Sequence, residues 1–182
     1  ANVLSSDEQI TAAGAQLIHS DRGGDVTYHG PGQLVGYPIL FLEEADRDVP
    51  RYVRRLEEAI IRTLADCGIA AGREPEYPGV WVGEEKICAV GVKISEWVTL
   101  HGFALNVATD MDFFRHIIPC GIAGKGVVSV EQLLQPAPSM REVALQFCRH
   151  FGEVFDRVLR IQYSEFRSSQ PPPSIRIPNS EF

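Results

Sequence analysis

Two hydrophobic periods alternate along this chain, and each change of period marks a new element. Over residues 48–67, Val53, Leu56, Ile60, Ile61 and Leu64 recur at helical spacing. Asp48 can cap that helix, Pro50 is tolerated in its first turn, and Gly68 ends it. A second helix starts after Ser139, where Ser139 and Glu142 make a capping box ahead of the stripe Val143, Phe147, Phe151, Phe155 and Leu159. Strand-like runs cover residues 16–19, 34–42, 79–82, 86–94 and 97–107. The tight turn Gly83-Glu84-Glu85 joins the third run to the fourth, and a turn at or near Glu96 joins the fourth to the fifth. Residues 112–117 predict a short helical turn closed by Pro119. The pattern predicts an α/β (α+β) fold: a mixed, largely antiparallel sheet with two main helices covering one face.

After Tyr163 the pattern dissolves into Ser168, Ser169 and Pro171, Pro172 and Pro173. That composition predicts one domain over residues 1–163 and an extended or disordered tail over 164–182. An apolar share of 45% and a charged share of 23% suit a soluble globular domain, and no apolar run is long enough to span a bilayer. The net charge of −7 argues against a nucleic-acid partner, so an acidic partner must dock on a local basic patch. Arg51, Arg54 and Arg55, or Arg115 and His116, could supply one, although a solvated helix face also explains the first group. Cys67, Cys88, Cys120 and Cys148 contain no CxxC pair. Neither a disulfide framework nor a zinc site is expected, and a reducing compartment fits better.

The densest chemistry lies at residues 22–33, where four glycines, Arg22, His29 and Pro31 share one loop. Glycine lets backbone N–H groups approach a ligand, and Arg22 and His29 add directional donors. Cys120 sits in the turn Pro119-Cys120-Gly121, which can present a thiol beside backbone N–H groups, as acyl transfer requires. The same pattern is compatible with a small buried hydrophobe. Cys67 and Cys148 fall in helices and Cys88 in a strand, where a core role is expected. Lys86 begins a strand and shares a face with Cys88 and Val90, so it either reaches water or serves a site. Lys125, in a glycine-flanked turn, is expected to be solvent-exposed. His101 precedes Gly102 in a strand, a pattern that marks a bulge or close ligand approach. It could equally be a structural histidine, and Asn106 a turn residue or a site-organising amide.

Four segments together resemble one family: RGGDVTYHGPGQLVGYP at 22–38, KICAVGVKI at 86–94, LHGFALNV at 100–107 and PCGI at 119–122. They are similar, in order and spacing, to the lipoyl(octanoyl) transferases of the lipoate-protein ligase B type. The resemblance implies the α/β core shared with biotin and lipoate protein ligases. It implies transfer of an octanoyl group from octanoyl-acyl carrier protein to a lysine of a lipoyl domain, in 2-oxoacid dehydrogenase complexes and the glycine cleavage H protein. No cofactor, metal, nucleic acid or membrane is implied, and the location is the cytoplasm, or an organelle if a targeting segment was removed. It places the nucleophile on Cys120 and the catalytic lysine on Lys86. The acyl-binding set falls on Arg22, Gly23, Gly24, Asp25, Val26, Thr27, Tyr28 and His29, on Ala89, Val90 and Gly91, and on Gly102, Phe103 and Ala104. His101, Asn106 and Gly121 would support them. The family's helix and strand ahead of the glycine loop are expected to be missing. An ATP-dependent lipoate or biotin ligase, a Cys–His hydrolase using His29 or His101, and a non-catalytic acyl-binding module are the rival readings.

Overall fold

The computed structural model describes residues 2–118, 125–162 and 173–178. A short helix, α1 (Asp7–Ala12), opens with a capping box between Ser6 and Gln9 and leads into β1 (Gln16–Ser20). A helix and a strand therefore do precede the glycine loop in this chain. The loop continues into β2 (Thr27–His29) and β3 (Gln33–Gly36). Helix α2 (Val49–Asp66) follows, with the Asp48 carboxylate accepting from Arg51 N at 2.9 Å. Tyr52, Leu56, Ala59, Ile60, Thr63 and Leu64 lie on its buried face, spaced three or four residues apart as helical periodicity requires.

The strands β4 (Val80–Val82), β5 (Glu85–Ser95) and β6 (Val98–Asn106) make an antiparallel meander. Its second turn is Glu96–Trp97, both at positive φ (49° and 62°), which gives the twist that a two-residue hairpin needs. With β3 paired to β6, and β7 (Gly126–Val127) paired in parallel to β5, these strands form a five-stranded sheet in the order β3-β6-β5-β4, with β7 beside β5. A 3₁₀ turn at Met111–His116 replaces the short helical turn, and α3 (Val130–Leu133) follows β7. Helix α4 (Met140–Phe155) carries the expected Ser139–Glu142 capping box. It stops at Asp156, which adopts a left-handed conformation, so Leu159 lies beyond the stripe and is exposed. Helices α2 and α4 pack together on one face of the five-stranded sheet, burying Leu56, Ile60, Ile87, Cys88, Leu105, Val143 and Phe151 in one core.

A second sheet is built differently. The segment set apart by its composition as a tail contributes β8 (Ser174–Pro178). This strand lies between β1, to which it is parallel, and β2, to which it is antiparallel. Its Ile175 is fully buried with Ile10, Val26, Tyr28 and Ile117 in a second core. Composition predicts an extended or disordered tail here, but residues 174–178 are a paired strand, because Ser-Ile-Arg-Ile alternates and can close a ladder on both edges.

Candidate active site

A cavity of about 190 Å³ lies between the two sheets. Ser20, Thr27, His29 and Arg176 line it from the small sheet. Lys86, Ala89, Val90, Gly91, His101, Gly102, Phe103 and Ala104 line it from the large one, and Arg22, Gly24, Asp25 and Val26 from the glycine loop. Most of the residues expected to bind an acyl group are thus brought together. Close backbone approach explains the glycines. A Cβ on Gly91 would sit 2.8 Å from Gly23 O, and one on Gly102 would sit 2.1 Å from Gly36 O. Gly23 N donates to Val92 O at 2.8 Å, which fastens the loop to β5.

Arg22 is buried and organises the loop rather than facing solvent. Its Nη1 donates to Gly23 O (3.1 Å), and its Nη2 donates to Asp25 O (2.6 Å) and Arg176 O (3.2 Å). The Asp25 carboxylate accepts from Val26 N and from the Asn2 amide. Tyr28 departs from the expected set. With period-two alternation, Thr27 and His29 face the cavity while Tyr28 points into the second core, stacked on Phe113 at 5.0 Å. Burial pushes its phenol up to about 12. Gly23 contributes backbone but does not line the cavity.

His29 holds one tautomer through a relay. Gln33 Nε2 donates to Tyr28 O (3.1 Å) and to Asn106 Oδ1 (2.9 Å), so Gln33 Oε1 accepts from His29 Nδ1 (3.1 Å). Asn106 Nδ2 in turn donates to Val128 O at 3.1 Å. Asn106 thus ends β6 rather than lying in a turn, and it links Gln33 to the Val128 backbone. Burial, reinforced by Arg176, Arg22 and His101, lowers the His29 imidazole to about 4, leaving it neutral at physiological pH. His101 Nε2 meets Asp21 Oδ1 at 2.7 Å, and Lys93 Nζ meets Asp21 Oδ2 at 2.8 Å. Those two bonds, Lys93's first, hold the Asp21 carboxyl down at about 2. The backbone of His101 is left-handed (φ 60°), in the middle of a strand, and the Asp21 contact helps hold it there.

Lys86 is 4% exposed, in the cavity wall. Its Nζ donates to Pro78 O at 3.0 Å and lies 4.7 Å from the Trp81 ring centroid. Behind it, the buried Glu57 of α2 accepts from Gly79 N at 2.8 Å and from Arg73 Nε at 3.2 Å, which fixes the Pro78–Gly79 backbone against which Lys86 rests. Lys86 does not reach bulk water; it is held in the cavity wall. Lys125 was expected in solvent but is partly buried: it pairs with Glu74 at 3.1 Å and lies 5.1 Å from the centroid of the same Trp81 ring. Cys120 and Gly121 lie outside the described residues. Beyond them the chain returns to the site, since Val127 pairs with Lys86 in the β5–β7 register. The other three thiols are poor nucleophiles: burial raises Cys67, Cys88 and Cys148, with Cys88 fully enclosed.

The sequence reading missed Ser20, Arg176, Tyr77 and Pro78 in the cavity lining, Gln33 in the relay and Glu57 behind Lys86. Glu57 carried a signal, being a carboxylate on the same helical face as Leu56 and Ile60. Of the suggested basic patch, Arg55 is engaged with Val154 O and with the Phe155 ring at 4.5 Å, and Arg115 pairs with Asp112.

Residues 2–152 match the family model described as the lipoyl protein ligase A/B catalytic domain. An octanoyltransferase of Solibacter usitatus is 57% identical over 155 residues, covering 85% of this chain and 70% of its own. One from Myxococcus xanthus is 51% identical over 161 residues, covering 85% of this chain and 45% of its own. A T. acidophilum protein solved with bound lipoic acid superposes with a TM-score of 0.71 at 21% identity, over 96% of this chain and 66% of that one. A biotin protein ligase from Aquifex aeolicus superposes with a TM-score of 0.55 at 17% identity, over 69% of this chain and 53% of that one. The chain thus spans between about half and about two thirds of the length of several proteins it matches. The fold is that of the lipoate and biotin ligases. With the glycine loop, the buried Lys86 and the two-sheet cavity in place, the chain belongs to the lipoyl protein ligase A/B catalytic-domain family, with octanoyltransferases among its relatives.

Proposed function

We propose that this chain is an acyltransferase that carries an octanoyl group in protein lipoylation, from octanoyl-acyl carrier protein to a lysine of a lipoyl domain, with Cys120 as its nucleophile. The observation that carries the reading is the buried Lys86 in the wall of a glycine-lined cavity, in a chain whose relatives at 51–57% identity are octanoyltransferases. In the first half-reaction Lys86 takes the Cys120 proton, and the sulfur attacks the carbonyl carbon of the carrier thioester. A new C–S bond forms, the carrier's C–S bond breaks, and the carrier leaves as a thiol after receiving a proton. Exchange of one thioester for another is nearly balanced and needs no ATP. In the second half a lysine amine of the acceptor attacks the acyl-enzyme, an amide forms, and Cys120 regains its proton.

The glycine loop and the β5–β6 wall position the acyl chain. The neutral His29, with Nδ1–H held by Gln33, presents Nε2 as an acceptor rather than a charge. The acceptor domains are those of 2-oxoacid dehydrogenase complexes and the glycine cleavage H protein, and the setting is the cytoplasm. The test is transfer from octanoyl-carrier to an apo lipoyl domain without ATP, with intact-mass detection of a hydroxylamine-labile octanoyl adduct. Persistence of the adduct after Cys120→Ser would overturn the nucleophile. Activity of Cys120→Ala with lipoate and ATP would favour a ligase.

A further inference from the structure

The peptide that holds Lys86 is itself held from behind. The unit joining Pro78 to Gly79 offers one carbonyl oxygen, Pro78 O, and one N–H, Gly79 N. The oxygen accepts from Lys86 Nζ at 3.0 Å, and the N–H donates to Glu57 Oε1 at 2.8 Å. A trans amide sends these two groups to opposite sides, so carboxylate, peptide and ammonium form one continuous chain. Each charge polarises the amide in the sense that strengthens the other bond. Gly79 shapes the contact, since a Cβ there would lie 3.4 Å from Lys86 Nζ and 2.6 Å from Cys88 O. Glu57 is fixed in turn: it is 5% exposed, and its Oε2 accepts from Arg73 Nε at 3.2 Å. A buried carboxylate is costly and its ion pair is weak evidence for stability. Its buried neighbours on α2, Leu56 and Ile60, are apolar, so packing alone would be served by a leucine at position 57.

We propose that Glu57 is a positioning residue for the acyl transfer, holding Lys86 Nζ in place through the Pro78–Gly79 peptide. The inference rests on Lys86 as the proton acceptor of the proposed transfer. It adds a residue of α2, a helix that contributes nothing to the described cavity lining. The lysine stem is long and flexible, and an ammonium has no directional fork of its own. A fixed peptide oxygen supplies the geometry that the side chain lacks. That geometry matters for rate, because displacing a reacting group by about 1 Å costs on the order of a hundredfold.

The test is a double-mutant cycle on octanoyl transfer by the full chain. Glu57→Leu should lower kcat by about thirtyfold and leave KM for octanoyl-carrier within about twofold. This variant should fold, because Arg73 keeps its bonds to Glu58 (2.7 Å) and Arg54 O (3.0 Å). Glu57→Gln can still accept from Gly79 N and should stay within about fivefold of the unmutated rate. On a Lys86→Met background, Glu57→Leu should cost nothing further, whereas a merely structural role would lower the rate in both backgrounds. Additive losses overturn the proposal, as does an undiminished kcat in folded Glu57→Leu. A loss in Glu57→Gln as deep as that in Lys86→Met also overturns it, and this arm stands if Glu57→Leu does not fold. A second readout needs no transfer: acetic anhydride labelling of lysines, followed by peptide mass. Relative to Lys93 in the same chain, Lys86 should label about fivefold faster in Glu57→Leu than in the unmutated protein. Equal labelling overturns the positioning. Faster labelling in a chain whose unmutated form does not transfer overturns the transferase reading and leaves the Glu57–Lys86 coupling standing; transfer with additive losses does the reverse.

Discussion

Within the five-stranded sheet, the β4-β5-β6 meander closes its ladder between neighbours in sequence. β5 reaches β6 through the two residues Glu96 and Trp97, and β4 reaches β5 through a turn just as tight. The three-stranded sheet instead gathers residues 16–20, 27–29 and 174–178 and places the last of them in the middle. One wall of the cavity therefore comes from local hairpins and the other from distant segments. The difference maps onto the proposed roles: the hairpin wall carries Lys86, the proposed proton acceptor, and the assembled wall carries Thr27, His29 and Arg176.

The comparison breaks most readily at Lys86. Lys86→Met should lower the transfer rate by roughly a thousandfold, in the range that loss of a proton-relaying side chain gives. Binding of octan-1-ol in the cavity should survive and the fold should persist, because the Met stem still packs on Trp81 and the buried Glu57 keeps its bonds to Arg73 and Gly79 N. Single-turnover transfer alongside titration measures both; equal losses in the two would erase the division of labour. The assembled wall is tested by Ile175→Ala, which empties a fully buried site in the second core and should cost about 3 kcal/mol in denaturant unfolding. The same substitution should weaken ligand binding, because Arg176 hangs from the same strand. If only stability falls, β8 is scaffold and not wall.

Protonation of His29 gives a smaller effect of known sign. Its folded value, about 4, lies below the ordinary histidine value of 6.5, so the unfolded chain binds the proton more tightly. Its contribution is fully present above about pH 6.5 and is lost as pH falls toward 4, amounting to about 2 kcal/mol by pH 5. His29→Gln should flatten that part of a pH–stability curve. A curve unchanged by His29→Gln would place the titration elsewhere. The smallest effect is expected at Gly24, whose φ of 92° favours glycine while its Cβ direction is nearly open. Gly24→Ala should cost about 1 kcal/mol of thermal stability, from backbone strain rather than collision.

The hairpin wall was largely legible in the sequence. Alternation located β4, β5 and β6, Ser139 and Glu142 announced α4, and the glycine loop and Lys86 fell where the motifs placed them. Local patterns suffice when strands pair with their neighbours. They fail where pairing is remote. Nothing near Ser174 signals that β1 and β2 are its partners, and three prolines ahead of it argued for a tail. The turn of Tyr28 away from the cavity and into the second core is hidden for the same reason: three residues in a glycine-rich loop do not reveal a period until their sheet is known. Glu96 and Trp97 carry no glycine or asparagine to mark their turn type, although the turn itself was expected there.

The position of β8 has a consequence for synthesis. Ribosomes deliver β1 and β2 early, with a strand-wide slot between them that no neighbouring sequence can fill. Until residues 174–178 clear the exit tunnel, the slot exposes two unpaired ladder edges, and the nascent chain must hold them apart from other strands. The hairpin wall can mature as it emerges, whereas the cavity is finished only when β8 arrives. Chain elongation itself thus times the moment at which the cavity proposed to hold an acyl chain first closes.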